Sequence, residues 1–200
     1  MSVALVVFAY LCGSIPSGVL LARSAGVDVR RVGSRNIGAT NVARAAGLRL
    51  GLATLLADVA KGVLPVTIAR ATGMGDATAA FVAVAAFLGH LFPPVLGFAG
   101  GKGVSTALGV SLALYPLATV PAVAAFTATV FATGFVSLGS MIAIAIAPVA
   151  VLVFGYPVPD VAAAIVMACL VIVRHRENVV RLLAGTEPKA LPRKQAAPRK

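Results

Sequence analysis

A glycine-rich segment near the N-terminus has residue types that can bind phosphate. The segment runs from Gly33 to Asn41, GSRNIGATN, and its two glycines, Gly33 and Gly38, lie five residues apart. Glycines allow backbone N–H groups to converge on an anion, and hydroxyl and amide side chains add hydrogen-bond partners. Those side chains belong to Ser34, Asn36, Thr40 and Asn41. The pattern indicates either a phosphate cradle or an ordinary interfacial turn. It does not indicate a nucleoside triphosphatase, because Ala39 stands where a Walker A loop requires lysine.

A second glycine-rich segment isolates one cation. In AGGKGVST, from Ala99 to Thr106, Lys102 has glycines on both sides, and Ser105 and Thr106 open the following helix. A lysine on a flexible loop at a helix N-terminus suits a phosphate monoester. The alternative is a lysine that only sets the orientation of two neighbouring membrane spans.

Two histidines are candidates for proton chemistry. His175 and Asn178 follow the last apolar run at i, i+3 spacing, which predicts that both lie on one face of a helix. The arginines around them are expected from membrane topology alone. His90, in GHLFPP, is predicted to be a structural hydrogen-bond partner, and a catalytic role for it is the alternative.

A charged pair interrupts the second apolar stretch. Asp58 and Lys61 are three residues apart inside it, and ionisable residues within a membrane are costly unless they are paired or face a polar cavity. The spacing predicts a mutual ion pair; otherwise the two line a polar site. Ser137 and Ser140, in GFVSLGS, are placed in a loop where they could hydrogen-bond a substrate, although serine in a turn needs no function.

Several kinds of site are excluded by missing patterns. The fifth residue after each histidine is valine, Val95 or Val180, so no His-x4-Asp acid/base pair is present. No His, Cys or carboxylate cluster has metal-ligand spacing, and no Gly-x-Ser-x-Gly elbow occurs. Cys12 and Cys169 lie far apart in apolar segments, which argues against a disulfide framework. The absence of Trp and the low aromatic content argue against nucleic-acid binding.

The composition places these segments in a membrane protein. Of 200 residues, 60% are hydrophobic and only 12% are charged, and the formal net charge is +11. Apolar stretches predict spans at about 2–22, 50–69 and 77–98, the first read as a retained span and not a signal peptide. Pro116 with Pro121, the Gly134 to Ser140 segment and GYPVP divide the next long uncharged stretch into three, and 161–173 is a short last span.

The basic residues predict the orientation of these seven spans. The two most basic regions are the first loop, Arg23 to Arg49, and the tail after Val173, and both are expected on the cytoplasmic side. They share a side only if the number of spans is odd, which puts the N-terminus outside and the C-terminus inside. Four polar segments then lie on the cytoplasmic side and are expected to form one site. They are GSRNIGATN, AGGKGVST, GFVSLGS and RHRENVVR. We expect residues 1–190 to form a single all-α domain and residues 191–200 to be a basic, disordered tail.

The polar motifs together resemble a known family. GSIPSG, GSRNIGATNVAR, DVAKG, GHLFPPVLGFAGGKGVST and HRENVVRLLAGTEPK occur in the order found in the bacterial acyl-phosphate:glycerol-3-phosphate acyltransferases, from Gly13 to Lys189. The resemblance implies a seven-span enzyme of the bacterial inner membrane that moves a fatty acyl group from acyl phosphate to the 1-hydroxyl of glycerol 3-phosphate. The products would be lysophosphatidic acid and phosphate, in phospholipid synthesis.

The resemblance also implies roles for particular residues. Those expected to bind glycerol 3-phosphate and to act in catalysis are Ser34, Arg44, Lys102, His175 and Asn178. Those expected to bind the acyl-phosphate headgroup are Gly33, Asn36, Gly38, Thr40 and Asn41. Further possible site residues are Ser140, Asp58, Lys61 and His90. Arg35 departs from the family, which usually has a small residue there.

For this reaction we hypothesise direct attack of the glycerol hydroxyl on the acyl carbonyl, without an acyl-enzyme. Acyl phosphate is already activated, so orientation and charge neutralisation could supply most of the acceleration. We expect no cofactor and no metal. The expected partners are the lipid bilayer and an enzyme that produces acyl phosphate. The alternative from another class is a small transporter of phosphorylated metabolites, against which stand the apolar outer loops and the lack of an inverted repeat.

Overall fold

The computed structural model describes residues 2–190, which form ten α-helices and no β-strand. The all-α class is therefore confirmed for this range. The helices are α1 (Ser2–Gly13), α2 (Ser17–Arg23), α3 (Ala39–Ala46), α4 (Leu48–Ala71), α5 (Asp76–Leu91), α6 (Val104–Leu114), α7 (Pro116–Thr133), α8 (Val136–Val153), α9 (Val158–Arg174) and α10 (Arg176–Leu183). The expected disordered tail, 191–200, lies outside the described residues.

Five segments are long and apolar enough to cross a membrane. They are α1 with α2, α4, α5 extended to Leu96, α7 and α8. The pair α9 and α10 makes a sixth if it is counted as one span bent by 52°. With 11 residues, α6 is much shorter than the roughly 20 residues that a crossing helix needs. The prediction of seven crossings therefore depends on counting both α6 and the bent pair of α9 and α10 as spans.

The helix boundaries differ from the predicted ones at several places. The first span is broken between Gly13 and Ser17, since Pro16 lacks an N–H and restricts the residue before it. Pro121 does not mark a break, because it lies inside α7, where apolar surroundings favour an unbroken helix. The predicted loop with Ser137 and Ser140 is also wrong, since both serines lie in the first turns of α8.

The helices approach each other closely where a glycine of one helix faces the backbone of another. A Cβ atom on Gly13 of α1 would lie 1.9 Å from the carbonyl oxygen of Ala86 in α5. The same holds between α4 and α6, where a Cβ on Gly109 would lie 2.1 Å from the Val59 carbonyl oxygen. Small residues at such contacts allow backbones to pack tightly, which is the main attraction available to helices in lipid. Many outward-facing side chains are apolar, including Phe81, Phe131 and Val158, as expected for a surface in lipid.

The polar groups collect at the two ends of the bundle. At one end, which we call the site end, lie the first loop, Lys102, the start of α8 and the residues from His175 onward. At the other, the opposite end, Arg70 of α4 contacts Asp76 of α5 and Asp160 of α9. The short α6 joins the site end to the opposite end, where Tyr115 packs against Tyr156 with ring centroids 6.0 Å apart.

Candidate active site

A cavity of about 520 Å³ opens at the site end. Its polar lining comes from the first loop and α3, the Lys102 loop, the start of α8 and the C-terminal segment. The polar side chains that line it include Ser34, Asn36, Thr40, Asn41, Arg44, Asp58, His90, Lys102, Ser137, Ser140, His175, Asn178, Arg181 and Glu187. Of the residues that the sequence assigns to the site, Gly33 and Lys61 do not line the cavity, and the others do.

The first loop is folded around the side chain of Asn41, which lies in the first turn of α3. Its Nδ2 atom donates hydrogen bonds to backbone carbonyls, and its Oδ1 atom accepts one from the backbone N–H of Ser34 at 3.0 Å. The carbonyls belong to Val29, Val32 and Asn36, at 2.9 to 3.1 Å. The amide of Asn41 is thus engaged within the loop, and its predicted contact with acyl phosphate stays a prediction.

Left-handed backbone geometry shapes the same loop. Gly33 has φ +58°, and a Cβ atom there would lie 2.4 Å from Oδ1 of Asn41, so only glycine fits. Gly33 supports the loop from outside the cavity. Arg35 also has a positive φ, 57°, a conformation that is uncommon for residues other than glycine.

Lys102 faces the cavity from the loop that precedes α6. Its Nζ atom donates a hydrogen bond to Oδ1 of Asn178 in α10. Burial, the largest cause, and the charge of Arg181 lower the pKa of Lys102 to about 8 from an ordinary value of 10.5. Lys102 is consequently a cation that is only partly desolvated and that would gain from a bound anion.

His175 and Asn178 share the first turn of α10, as their i, i+3 spacing predicts. His175 is the N-cap of this helix, and its carbonyl accepts a hydrogen bond from the Val179 N–H at 3.0 Å; the 52° bend lies between α9 and α10. Both side chains are buried and line the cavity. The Nδ1 atom of His175 lies 2.8 Å from the carbonyl oxygen of Val171. A carbonyl can only accept, so Nδ1 carries the proton and Nε2 of the neutral ring is free to accept another.

Glu187 is a site residue that sequence reasoning missed. Its Oε1 atom accepts hydrogen bonds from Ser137 Oγ at 2.7 Å and Asn178 Nδ2 at 2.6 Å, and its Oε2 atom accepts one from Arg181 Nε at 2.7 Å. Burial acts to raise the pKa of Glu187, but these hydrogen bonds and the Arg181 charge outweigh burial and lower it. The only sequence signal is a lone glutamate in the GTEPK segment of an otherwise basic tail.

The C-terminal segment from Thr186 to Ala190, here called the C-terminal strap, lies across the site end. The Nη2 atom of Arg44 donates to the carbonyl oxygens of Pro188 and Lys189 at 3.1 and 3.0 Å. The N–H of Ala190 donates to the Gly134 carbonyl at 2.8 Å. Burial lowers the pKa of Arg44. The strap thereby brings Glu187 to the cavity that Lys102 faces, and Arg44 of α3 is hydrogen-bonded to it there.

Asp58 and Lys61 of α4 form the ion pair that their spacing permits, and Asp58 also lines the cavity. Lys61 Nζ lies 2.8 Å from Asp58 Oδ1 and donates a hydrogen bond to the Ile15 carbonyl at 3.0 Å. His90 joins the pair, with Nδ1 3.7 Å from the same Asp58 oxygen. The two readings of Asp58 are therefore compatible, since it is paired and also lines the cavity with His90.

Beyond the polar residues the cavity continues between apolar helices. This part is lined by side chains of α4, α6, α7 and α8. They include Leu55, Leu108, Val123, Phe126, Ile144 and Ala147. The cavity therefore joins a cationic mouth to an apolar interior, a combination suited to a ligand with a phosphate and a hydrocarbon chain.

A family model and curated relatives that match this chain carry the same description. A family model described as glycerol-3-phosphate acyltransferase matches residues 3–185. A glycerol-3-phosphate acyltransferase from Geobacter sulfurreducens is 52% identical over 90% of this chain and 92% of its own length. One from Rubrobacter xylanophilus is 46% identical over 94% of this chain and 95% of its own.

Solved structures also resemble the fold. The crystal structure of PlsY (YgiH), an integral membrane glycerol 3-phosphate acyltransferase, in its glycerol 3-phosphate form is 43% identical, with a TM-score of 0.91 and 94% of each chain covered. The lysophosphatidic acid form of PlsY is 42% identical with a TM-score of 0.88, again over 94% of each chain.

Proposed function

The chain belongs to the glycerol-3-phosphate acyltransferase family, and from that premise we propose that its acyl donor is acyl phosphate. In this reaction a fatty acyl group moves to the 1-hydroxyl of glycerol 3-phosphate and gives lysophosphatidic acid and phosphate. The observation that carries the proposal is the cavity that joins a cationic mouth to an apolar interior. Both substrates place a phosphate at the mouth, and only the donor has a chain for the interior.

The acceptor phosphate is assigned to the cations of the mouth. Lys102 and Arg44 are these cations, and they line the cavity together with Ser34, His175 and Asn178. Lysine neutralises a phosphate as a point charge, and arginine adds directed N–H donors. We assign these five residues to glycerol 3-phosphate, with the acceptor displacing the contact between Lys102 and Asn178.

The donor headgroup is assigned to the start of α3. Gly38 precedes the helix with extended backbone, and Ala39 and Thr40 open it next to the cavity. Unpaired N–H groups of a helix N-terminus and its dipole favour an anion there. Asn36 is also adjacent, since its Oδ1 atom accepts from the Gly38 N–H at 3.0 Å. The acyl chain then lies in the apolar part of the cavity.

The proposed mechanism is direct transfer. The oxygen of the 1-hydroxyl forms a bond to the acyl carbonyl carbon, and the bond from that carbon to the phosphate oxygen breaks. The hydroxyl proton goes to the departing phosphate. Its other possible acceptor is Nε2 of His175, which the hydrogen bond at Nδ1 leaves unprotonated. Loss of activity in His175→Ala with glycerol 3-phosphate affinity intact would contradict the version without a protein base.

An acyl-enzyme is not part of this mechanism. Neither cysteine lines the cavity. The variant Cys12→Ala/Cys169→Ala should keep its turnover, and no labelled acyl group should stay on the protein after incubation with acyl phosphate alone. A stable acyl-protein that disappears in the double variant would revive covalent catalysis.

The proposal includes seven crossings of the bacterial inner membrane, with the N-terminus outside and the site end at the cytoplasm. Support comes from α6, which links the site end to Tyr115 at the opposite end despite its length. In the cysteine-free variant, Gly75→Cys should react with an impermeant maleimide added to whole cells, and Gly185→Cys should react only after lysis. The reverse pattern would contradict this orientation.

The deciding experiment compares donors. Purified protein in liposomes receives glycerol 3-phosphate with palmitoyl phosphate, palmitoyl-CoA or palmitoyl-acyl-carrier protein. We expect equal amounts of phosphate and lysophosphatidic acid with palmitoyl phosphate only. Turnover with one of the thioesters in place of palmitoyl phosphate would contradict the donor assignment. The same liposomes test the transport alternative, since uptake of glycerol 3-phosphate without any donor would support a transporter.

A further inference from the structure

The loop that carries Lys102 is held from two sides. On one side its N–H groups bond to the end of α5, with Gly101 N 3.1 Å from the His90 carbonyl and Gly100 N 3.1 Å from the Leu91 carbonyl. On the other side Arg174 of α9 donates to the Gly101 carbonyl at 3.1 Å and to the Gly100 carbonyl at 2.7 Å. The loop backbone thus has little freedom to move.

The imidazole of His90 contacts this loop directly. A Cβ atom on Gly101 would lie 2.1 Å from His90 Nε2 and 3.0 Å from its two neighbouring ring carbons. The backbone of Gly101 is not in the left-handed region, so the ring and not the local conformation excludes a side chain there. The position of the ring therefore sets how far the loop can approach α5.

Buried charges lie behind the ring. His90 Nδ1 is 3.7 Å from Asp58 Oδ1, and Lys61 is paired with the same oxygen at 2.8 Å. The side chains of all three are at most 5% exposed. His90 Nδ1 is buried and has no partner within hydrogen-bond distance among the described residues, whereas Asp58 Oδ1 has the Lys61 ammonium. Such charges are costly inside a membrane and are typical of sites with a function beyond stability.

We propose that His90, backed by the Asp58–Lys61 pair, is a positioning residue that sets the place of Lys102 in the cavity. The ring contacts Gly101, the residue immediately before Lys102, and its proposed effect on substrate binding runs through that lysine. This inference rests on the proposed function, in which Lys102 binds the phosphate of glycerol 3-phosphate. A misplacement of about 1 Å in a binding group can cost about 100-fold in rate.

The first experiment alters the contact between the His90 ring and Gly101. Gly101→Ala pushes a methyl group into the ring, and His90→Ala removes the ring. Each should raise KM for glycerol 3-phosphate by about tenfold or more, with a smaller change in KM for palmitoyl phosphate. In the double variant the methyl group has room, so its KM should match that of His90→Ala alone. If the two effects multiply instead, the ring does not act through Gly101 and the proposal fails.

A conservative variant separates positioning from folding. His90→Asn retains a polar group towards Asp58 but is too short to reach Gly101. It should therefore melt close to the wild-type temperature and still show the raised KM for glycerol 3-phosphate. Recovery of wild-type KM in His90→Asn would mean that His90 only satisfies the buried carboxylate, which overturns the proposal. Gly75→Ala is the matched control, since no atom lies within 4 Å of its added methyl group, and KM should not change.

Lys102→Met distinguishes failure of this inference from failure of the proposed function. In the Lys102→Met background, His90→Ala should have no further effect on KM for glycerol 3-phosphate. If Lys102→Met itself leaves that KM unchanged, the assignment of Lys102 to the acceptor phosphate is wrong. If Lys102→Met raises it while Gly101→Ala and His90→Asn do not, only the positioning role is wrong.

Discussion

The two ends of the bundle use buried charge in different ways. At the opposite end, Arg70 lies between Asp76 and Asp160, at 3.2 Å from the fully buried Asp160. These groups come from three helices and contact each other. At the site end, Lys102, Arg44 and Arg181 surround a cavity in which Glu187 supplies one buried carboxylate.

The difference separates a structural ion cluster from a binding site. At the opposite end each charge contacts an opposite charge on another helix, with Arg70 shared by two carboxylates, so these contacts tie α4, α5 and α9 together. The site end keeps an excess of positive charge next to a cavity, and desolvation already lowers the pKa of Lys102 there. Under the proposed function, a dianionic phosphate would remove that imbalance at the site end.

Among variants at the two ends, removal of the Lys102 charge should produce the largest loss of activity. Lys102→Met keeps the length of the side chain but removes the cation, and kcat/KM for glycerol 3-phosphate should fall by about 100- to 1,000-fold. The melting temperature in detergent should be unchanged or higher, because a partly desolvated charge is gone. A fall of only a few-fold would mean that the positive excess of the site end does not bind the acceptor.

The pH dependence of the site end should follow Lys102. Its pKa is about 8, so it is protonated below that pH and loses its charge as pH rises through it. KM for glycerol 3-phosphate should accordingly rise above pH 8 by up to about tenfold per pH unit. Bound phosphate stabilises the charged amine, so kcat should decline only at higher pH.

The variant Lys102→Arg is the control for this pH profile. Arginine does not deprotonate in this range, so the alkaline rise in KM should disappear even if activity is lower overall. An unchanged alkaline rise in Lys102→Arg would assign the titration to another group.

Asp160→Asn should affect stability and leave catalysis intact. The variant keeps the size of the buried side chain but removes its charge, while Arg70 retains Asp76. We expect a loss of about 1 to 3 kcal/mol of stability, measured as a lower melting temperature in detergent. The kcat/KM should stay within about twofold of wild type. A large loss of kcat/KM in folded Asp160→Asn would show that the two ends are coupled.

Asp28→Asn should have the smallest effect, although it lies at the site end. Asp28 pairs with Arg30 at 2.9 Å on the exposed face of the first loop. Arg30 lowers the pKa of Asp28, but solvent screens such a pair. Neither the melting temperature nor KM should change measurably. A measurable change in either would mean that proximity to the site, and not burial, determines the importance of a charge.

Much of the fold could be predicted from the sequence because it depends on local properties. Stretches without charge predicted the apolar spans, and the family resemblance drawn from the polar motifs is confirmed. The errors lie at helix ends. Pro121 continues α7, and Ser137 begins α8 instead of ending a loop. A helix continues or stops according to what surrounds it, and the residues that pack there come from distant parts of the chain.

The site could be predicted only in part for the same reason. Lys102 and Asn178 were identified by type and motif, and they are 76 residues apart in sequence but joined by a hydrogen bond. Glu187 carried no comparable signal until the C-terminal strap placed it against Ser137, 50 residues away. Its importance comes from the hydrogen bonds it accepts and not from its position in a pattern.

By itself the sequence determined that this is an all-helical, strongly apolar protein of a known acyltransferase family and which motifs contain the polar residues. These properties follow from residue type and short-range spacing. Only the tertiary structure decided which charges are neutralised and which remain for a ligand. Asp58 is paired, Arg70 is shared between two carboxylates, and Lys102 faces a cavity. Electrostatic interactions depend on distance and burial in space, and the packing of helices, loops and the C-terminal strap sets both.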